Sequence, residues 1–360
     1  MAKRTAKAAA HAAAVLMAVM GCAWAVGVAG EPADEADRAA RLAEYRRPDA
    51  IPFPDDNPYS RAKAELGRAL FFDTALSRDE SRACATCHLP SQDWTDDRPR
   101  AMRNDDGPMA VRTPTLLDVA WIERSLGWDG RFRDLEGVAY VPITAPANMD
   151  MPEALLNERL NAMPAYVQAF RSAFPEAAAE AKPVTRRRIE QALATFQRLI
   201  VAGPAPFDAW VASDPRAVSP AAKRGFDLFT GKAGCDACHS GHSFTDGSFH
   251  DIGTASGDDI GRGRFFPNST ALRYAFKTPT LRNVARRPPY MHDGSVADLA
   301  AVVALYDKGG IERPSRSRDI RPLNLSAGEK ADLIAFLETL TDVGADGPAH
   351  RPITEEPPRP

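Results

Sequence analysis

The sequence predicts a mainly α-helical protein made of two tandem copies of one small domain. Three observations lead there. Apolar residues recur at helical spacing in a series of short segments bounded by capping or helix-stopping residues. A Cys-x-x-Cys-His run occurs twice, as Cys84-Ala85-Thr86-Cys87-His88 and as Cys235-Asp236-Ala237-Cys238-His239. The residues around the first run return, in the same order, around the second.

Taken in order, the chain opens with Lys3, Arg4 and Lys7, followed by an uncharged run over residues 8–30, the pattern of an export signal. Val28-Ala29-Gly30 offers a small-residue cleavage site. Val19-Met20-Gly21-Cys22 instead resembles a lipobox, in which Cys22 would carry a lipid anchor, and the run is also long enough for an uncleaved anchor. Residues 31–47 read as a short surface helix. Ser60 caps a helix through Phe72 with Ala64, Leu66, Leu70 and Phe71 on its apolar face. The first Cys-x-x-Cys-His run follows, then a polar loop over 91–109. Residues 152–174 predict two short helices parted at Met163-Pro164, and residues 184–201 a longer one carrying Ile189, Leu193 and Phe196. Gly203-Pro204-Ala205-Pro206 marks a boundary between domains at 48–203 and 204–345. Further helices are expected over 219–229, over 296–307 and from the capping box Ser326-Ala327-Gly328-Glu329. A Gly-, Ser- and Asp-rich loop spans 240–275, and residues 346–360 read as a disordered tail.

Cys-x-x-Cys-His is the attachment pattern of c-type haem. Both cysteines add as thioethers across the vinyl groups, and the adjoining histidine is placed to ligate the iron. A zinc site would need two further ligands at suitable spacing, and a redox dithiol would not need the histidine. Two such runs behind an export signal, using four of the five cysteines, predict two covalently bound c-type haems. Cys84, Cys87, Cys235 and Cys238 are the attachment residues; His88 and His239 are the ligands. A hydrophobic content of 44% with 26% charged residues argues against wholesale disorder and against a polytopic membrane protein. The net charge of −3, with no basic stripe, argues against a nucleic-acid partner. Haem attachment of this kind places the protein in the periplasm.

The repeat extends well beyond the cysteines. Gly67-Arg68-Ala69-Leu70-Phe71 stands before the first run and Gly225-Phe226-Asp227-Leu228-Phe229 before the second. Arg112-Thr113-Pro114-Thr115-Leu116 returns as Lys277-Thr278-Pro279-Thr280-Leu281. Trp128-Asp129-Gly130 with Asp134-Leu135 returns as His292-Asp293-Gly294 with Asp298-Leu299. Three matches in one order mean two copies of one haem-binding domain, so the halves can be compared. Fourteen residues after His292 lies Tyr306; fourteen after Trp128 lies Pro142, which has no side chain able to bind iron. If this position supplies the distal ligand, the second haem is closed and the first is open to a small ligand such as peroxide. On the residues alone, Tyr306 also reads as a packed core tyrosine.

With these motifs the chain resembles the bacterial di-haem cytochrome c peroxidase/MauG family over roughly residues 50–342, including Trp128-Asp129-Gly130-Arg131 and Pro289-Tyr290-Met291-His292-Asp293-Gly294. The resemblance implies two cytochrome c-like domains with their haems facing a shared interface. In the family the C-terminal haem takes a methionine or, in MauG-type members, a tyrosine as distal ligand; Tyr306 stands at that position. Trp128 matches the tryptophan that lies between the haems and lets two oxidising equivalents be shared. Residues 89–111 contain no histidine to block the first haem, as some family members have near the position of Asn104.

The resemblance also marks departures. A glutamine and a glutamate flank the family's pocket proline, matched by Pro142, but here those positions are Val138 and Asn148. A glutamate can move a proton between peroxide oxygens, whereas an asparagine can only hydrogen-bond, a difference of about 10²–10⁴ in rate. Tyr140 or an ordered water is the expected substitute. Positions that contact the family's inter-haem calcium are Arg112 and Arg287, whose charges predict that no Ca²⁺ is held. The tryptophan that serves the protein substrate of MauG-type members is replaced within Lys232-Ala233-Gly234, so a different protein substrate is expected. His250 and His292 are expected to hydrogen-bond near the haems, Met149, Met151 and Met291 to pack, and His242 to be solvated.

The sequence therefore predicts a periplasmic di-haem oxidoreductase. Hydrogen peroxide would react at the haem of Cys84, Cys87 and His88, in a pocket with Trp128, Pro142 and Asn148. Oxidising equivalents would pass to the haem of Cys235, Cys238, His239 and Tyr306, and be met by a small electron-transfer protein or an oxidised protein substrate. The alternative is an electron-transfer cytochrome or haem sensor in which Val138 and Asn148 record the loss of peroxide chemistry.

Overall fold

The computed structural model describes residues 35–122 and 124–344; the expected export signal, with Cys22, and the expected tail lie outside them. Among the described residues are ten α-helices: α1 (Glu35–Ala43), α2 (Arg61–Phe72), α3 (Leu135–Thr144), α4 (Glu153–Asn161), α5 (Pro164–Ala173), α6 (Arg186–Arg198), α7 (Pro206–Val211), α8 (Pro220–Phe229), α9 (Leu299–Lys308) and α10 (Ala327–Glu338). The helices expected from periodicity and caps are present within about three residues of their expected ends, and the one expected over 31–47 is described as the shorter α1. At the start of α10, Ser326 and Glu329 make the reciprocal capping box.

The repeated motifs have structural reasons. α2 and α6 cross at Gly67, where an added Cβ would collide with the Ala192 carbonyl oxygen. α8 and α10 cross at Gly225, where it would collide with that of Asp332. The glycine lets two helix backbones touch, and Phe71 or Phe229, one turn on, is buried behind the crossing. The recurring Asp-Leu pair is an N-cap with the first core residue of a helix. Asp134 accepts from Gly137 N at 2.8 Å to open α3, and Asp298 from Ala301 N at 2.7 Å to open α9. α3 was not expected, because Pro142 lies inside it and an interior proline removes a helix hydrogen bond. The proline falls in the last turn, and Glu136 anchors the first. Its carboxylate accepts from Arg198 at 2.7 and 3.0 Å and from Asn57 at 2.8 Å.

Two large hydrophobic cores result, with a smaller cluster of Val119, Leu126, Leu135 and Ala194 beside them. The first gathers α2–α6 around Leu70, Phe71, Ile143, Phe170 and Leu193. The second gathers α7–α10 around Phe207, Phe226, Phe244 and Phe336. α1 leads into this second core rather than lying free on the surface. Tyr45, just beyond it, stacks on Phe244 at 4.8 Å, and Arg38 forks onto Asp227 of α8 at 2.9 and 2.5 Å. The long loop after the second Cys-x-x-Cys-His run is pinned by a short antiparallel pair, β1 (Phe249–His250) with β2 (Phe276–Lys277). No helix among the described residues is long and apolar enough to cross a membrane.

Candidate di-haem site

Each Cys-x-x-Cys-His run is a single tight turn, with His88 N bonded to Cys84 O at 3.0 Å and His239 N to Cys235 O at 2.9 Å. His88 Nδ1 then donates to Trp94 O at 3.0 Å, and His239 Nδ1 to Phe244 O at 2.9 Å. A carbonyl only accepts, so Nδ1 carries the proton and Nε2 keeps its lone pair for a metal. The Thr-Pro-Thr-Leu repeats hold these loops. Thr115 Oγ1 donates to Asp93 O at 2.7 Å and Thr280 Oγ1 to Ser243 O at 2.6 Å, each just before the carbonyl that orients the histidine. Burial lowers both histidine pKa values, favouring neutral imidazole. Burial also pushes the thiols of Cys84 and Cys235 up to about 12, an environment that suits uncharged sulfur, as a thioether is.

All ten residues singled out from the sequence line one cavity of about 390 Å³: the two cysteine pairs, His88, His239, Trp128, Pro142, Asn148 and Tyr306. Its walls are otherwise largely apolar, with Leu135, Ala139 and Val138 from α3 and Leu299, Val302 and Val303 from α9. Four cysteines free of disulfides, two oriented imidazoles and apolar walls fit two c-type haems. The Tyr306 hydroxyl makes no hydrogen bond among the described residues. Burial, and then the neighbouring Cys235 and Cys238, raise its phenol pKa. A ferric centre would oppose that shift by favouring phenolate.

On the first half, Asn148 lies half-buried in the turn after α3. Its backbone is fixed by Asn148 N to Ala145 O at 2.9 Å, and its neighbours by Asn104 N to Ala147 O at 3.1 Å and Arg78 N to Met149 O at 2.9 Å. Its side chain has no hydrogen bond among the described residues. Tyr140 is a correction to the sequence reading. Its side chain is buried in the first core with Arg186 4.8 Å from its ring, burial pushes its pKa up to about 12, and it does not line the cavity. A helix that turns Ala139 and Pro142 to the cavity turns residue 140 about 100° away.

Gln197, which the sequence reading passed over, is 5% exposed and lines the cavity. Phe196 and Phe336 both sit beside the crossing glycines, which matches Gln197 with Leu337, another lining residue. A polar residue on an otherwise apolar face was the available signal.

Trp128 and His292 occupy matching places where the halves meet. Lys277 N donates to Trp128 O at 2.8 Å, and Arg112 N to His292 O at 2.9 Å. The Trp128 indole donates to Arg112 O at 3.0 Å. His292 stacks on Phe276 at 3.6 Å and bonds Asp259 at 2.6 Å. His250 bonds Asp246 at 2.7 Å, which, ahead of a bond to Cys238, raises its pKa to about 10. His242 is not solvated as expected. It packs against Trp121, ring centroids 4.7 Å apart, and burial lowers its pKa to about 4. Met149 and Met151 pack in the first core, and Met149 and Met291 reach the cavity wall.

These residues define a site for paired c-type haems in a helical frame. The model of the di-haem cytochrome c peroxidase family matches residues 61–216. The chain is 50% identical to methylamine utilization protein MauG of Methylorubrum extorquens, covering 90% of this chain and 92% of that one. It is 46% identical to the MauG of Methylophilus methylotrophus, covering 84% and 89%. A solved MauG-like protein associated with microbial copper homeostasis is 30% identical, covers 83% of this chain and 94% of its own, and superposes with a TM-score of 0.75. The protein belongs to the di-haem cytochrome c peroxidase family, and it is an oxidoreductase.

Proposed function

We propose that the protein is a periplasmic, peroxide-dependent di-haem oxidoreductase of the MauG type, with one haem held in each of two domains, 48–203 and 204–345. The observation that carries this reading is the asymmetry of one cavity: Tyr306 lines it from α9, whereas the matching position on α3 is Pro142. Cys84, Cys87 and His88 would hold one haem, beside which position 142 offers no second iron-binding side chain, and Cys235, Cys238, His239 and Tyr306 would hold the other. When bound, the haems supply the redox chemistry by which hydrogen peroxide takes two electrons and two protons and becomes two waters. The chain's own residues do the rest. His88 and His239 are kept neutral and aimed by carbonyls. Pro142, Val138 and Ala139 keep the open side apolar, and Asn148 offers an amide to hydrogen-bond a small ligand without moving its proton. Trp128, fixed through its indole N–H and its carbonyl, lies on the route between the halves.

The electrons come from a small electron-transfer protein or from a side chain of a protein substrate. The MauG relatives are named for methylamine utilization; the aromatic-free stretch Lys232-Ala233-Gly234 favours a different substrate surface. Arg112 and Arg287 at the junction make a bound calcium unfavourable. Export leaves a cleaved chain or one anchored by lipid at Cys22.

Val138 and Asn148 on the cavity wall also support a second reading, an electron carrier or sensor that has lost peroxide turnover. One equivalent of hydrogen peroxide mixed with the diferric protein separates the two. A fast, long-lived absorbance change at both haems supports the enzyme, and no change over minutes supports the carrier or sensor.

A further inference from the structure

Arg112 and Arg287 are 6% and 8% exposed, and neither forms an ion pair among the described residues. Arg112 belongs to the first half. Its Nη1 donates across to the Arg287 carbonyl at 3.2 Å, and its buried Nη2 has no partner. Arg287 donates from Nε to Asn283 O at 3.3 Å and from Nη2 to Thr280 O and Arg282 O at 2.8 and 2.7 Å. Every partner of these two guanidiniums is a neutral carbonyl. Asp96 acts on Arg112 through space, and Asp93 and Asp118 act on Arg287, but Asp96 Oδ2 is taken by the Thr113 hydroxyl at 2.7 Å and Asp93 by Arg286 at 2.9 Å.

Two buried like charges with no carboxylate bonded to either are unfavourable unless something beyond the protein chain helps to compensate them. Both arginines line the cavity, and the Arg112 carbonyl holds the Trp128 indole. A c-type haem brings propionate carboxylates, which are the planar anions a guanidinium fork binds best. We propose that Arg112 and Arg287 form a built-in cationic bridge that binds propionates of the two haems, tying them through protein charge instead of a bound metal ion. The unpartnered Nη2 of Arg112 is the principal donor. This inference rests on the di-haem reading of the site.

A positive charge beside a haem favours its reduced form over its oxidised form, so removing one of the bridge's charges lowers a reduction potential. The test is spectroelectrochemical titration of the full holoprotein and of Arg112→Gln, Arg112→Lys and Arg287→Gln. Intact mass counts the attached haems in each. With two haems attached, Arg112→Gln is expected to lower at least one potential by about 59 mV or more, a tenfold change in the reduced-to-oxidised ratio at fixed poise. Arg112→Lys, which keeps the charge, is expected to shift it by less than half as much. EDTA is expected to leave the wild-type potentials unchanged. Where Arg112→Gln does not accumulate, Arg287→Gln must give the same downward shift. Unchanged potentials in the glutamine variants, an equal shift in Arg112→Lys, or an EDTA-induced shift in the wild type would each overturn the bridge. A wild-type chain carrying fewer than two haems would instead overturn the di-haem reading beneath it.

Discussion

Replacing Asn148 by glutamate returns a proton-moving group to the wall beside Pro142. The turn that carries it is fixed by backbone bonds to Ala145, Asn104 and Arg78, so a new side chain starts from a held position. The native amide has no partner among the described residues, and no bond is sacrificed. A half-exposed site of this kind predicts a stability change within about 1 kcal/mol. Residue 148 follows the C-terminal end of α3, where the helix dipole disfavours a carboxylate and moves its pKa toward the range useful for proton transfer. A positioned acid/base group contributes about 10²–10⁴ in rate, or about 3–5 kcal/mol of barrier at 1.36 kcal/mol per decade. Stopped-flow absorbance of diferric Asn148→Glu against stoichiometric hydrogen peroxide should show that acceleration over wild type, with both haems attached. A variant that folds, carries two haems and reacts no faster would mean that residue 148 does not face the reacting oxygen.

Other expectations follow from the same geometry. Tyr306→Phe should retain two haems and change the optical and paramagnetic signature of one of them; spectra identical to wild type would remove the tyrosine from the iron. Glu136→Gln leaves Arg198 buried without its carboxylate and should lower unfolding stability by about 3 kcal/mol, read as a shift in urea midpoint. Burial alone would raise the Glu136 pKa, but the bonds from Arg198 and Asn57 outweigh it and hold it below its usual value. Because the folded pKa is depressed, its contribution is present above the unfolded value of 4.5 and is lost as pH falls through the folded one. The wild-type advantage over Glu136→Gln should therefore shrink in acid and stay level near neutrality. Gly225→Ala must part α8 from α10 and should destabilise by about 1–3 kcal/mol; an unchanged thermal midpoint would contradict the crossing.

Local signals were legible in the sequence. Ser60 and Ser326 announce their helices because a cap bonds within its own turn. Gly67 and Gly225 stood out through repetition, although their reason, contact with Ala192 and Asp332, belongs to the tertiary fold. α3 was hidden by Pro142, and with it the helical phase that turns Tyr140 away from the cavity. His242 was misread because its partner, Trp121, is remote in sequence and nothing local marks the contact. Gln197 emerges when α6 is laid over α10 and the matching residue is Leu337. The orphan nitrogen of Arg112 was invisible, since an unsatisfied donor is a property of surroundings and not of residue type.

The duplication explains both what is conserved between the halves and what differs. The residue before each Thr-Pro-Thr-Leu run donates its backbone N–H to the other half: Arg112 to His292, Lys277 to Trp128. The exchange is self-complementary, as between two copies related by a two-fold axis. It involves only main-chain atoms, so it leaves the side chains at those positions free to diverge. They have done so in one direction. Trp128 matches His292, Pro142 matches Tyr306, and Gln197 matches Leu337, so the first half contributes a partly polar wall with no iron-binding side chain at 142, and the second contributes Tyr306. On the proposed reading, this frame would hold two similar haem sites, and the substitutions would suit one to reaction and the other to storing what the reaction yields. Pro142→Tyr, which gives the first half the side chain that Tyr306 gives the second, should abolish the stopped-flow peroxide response while leaving both attached haems and the fold intact.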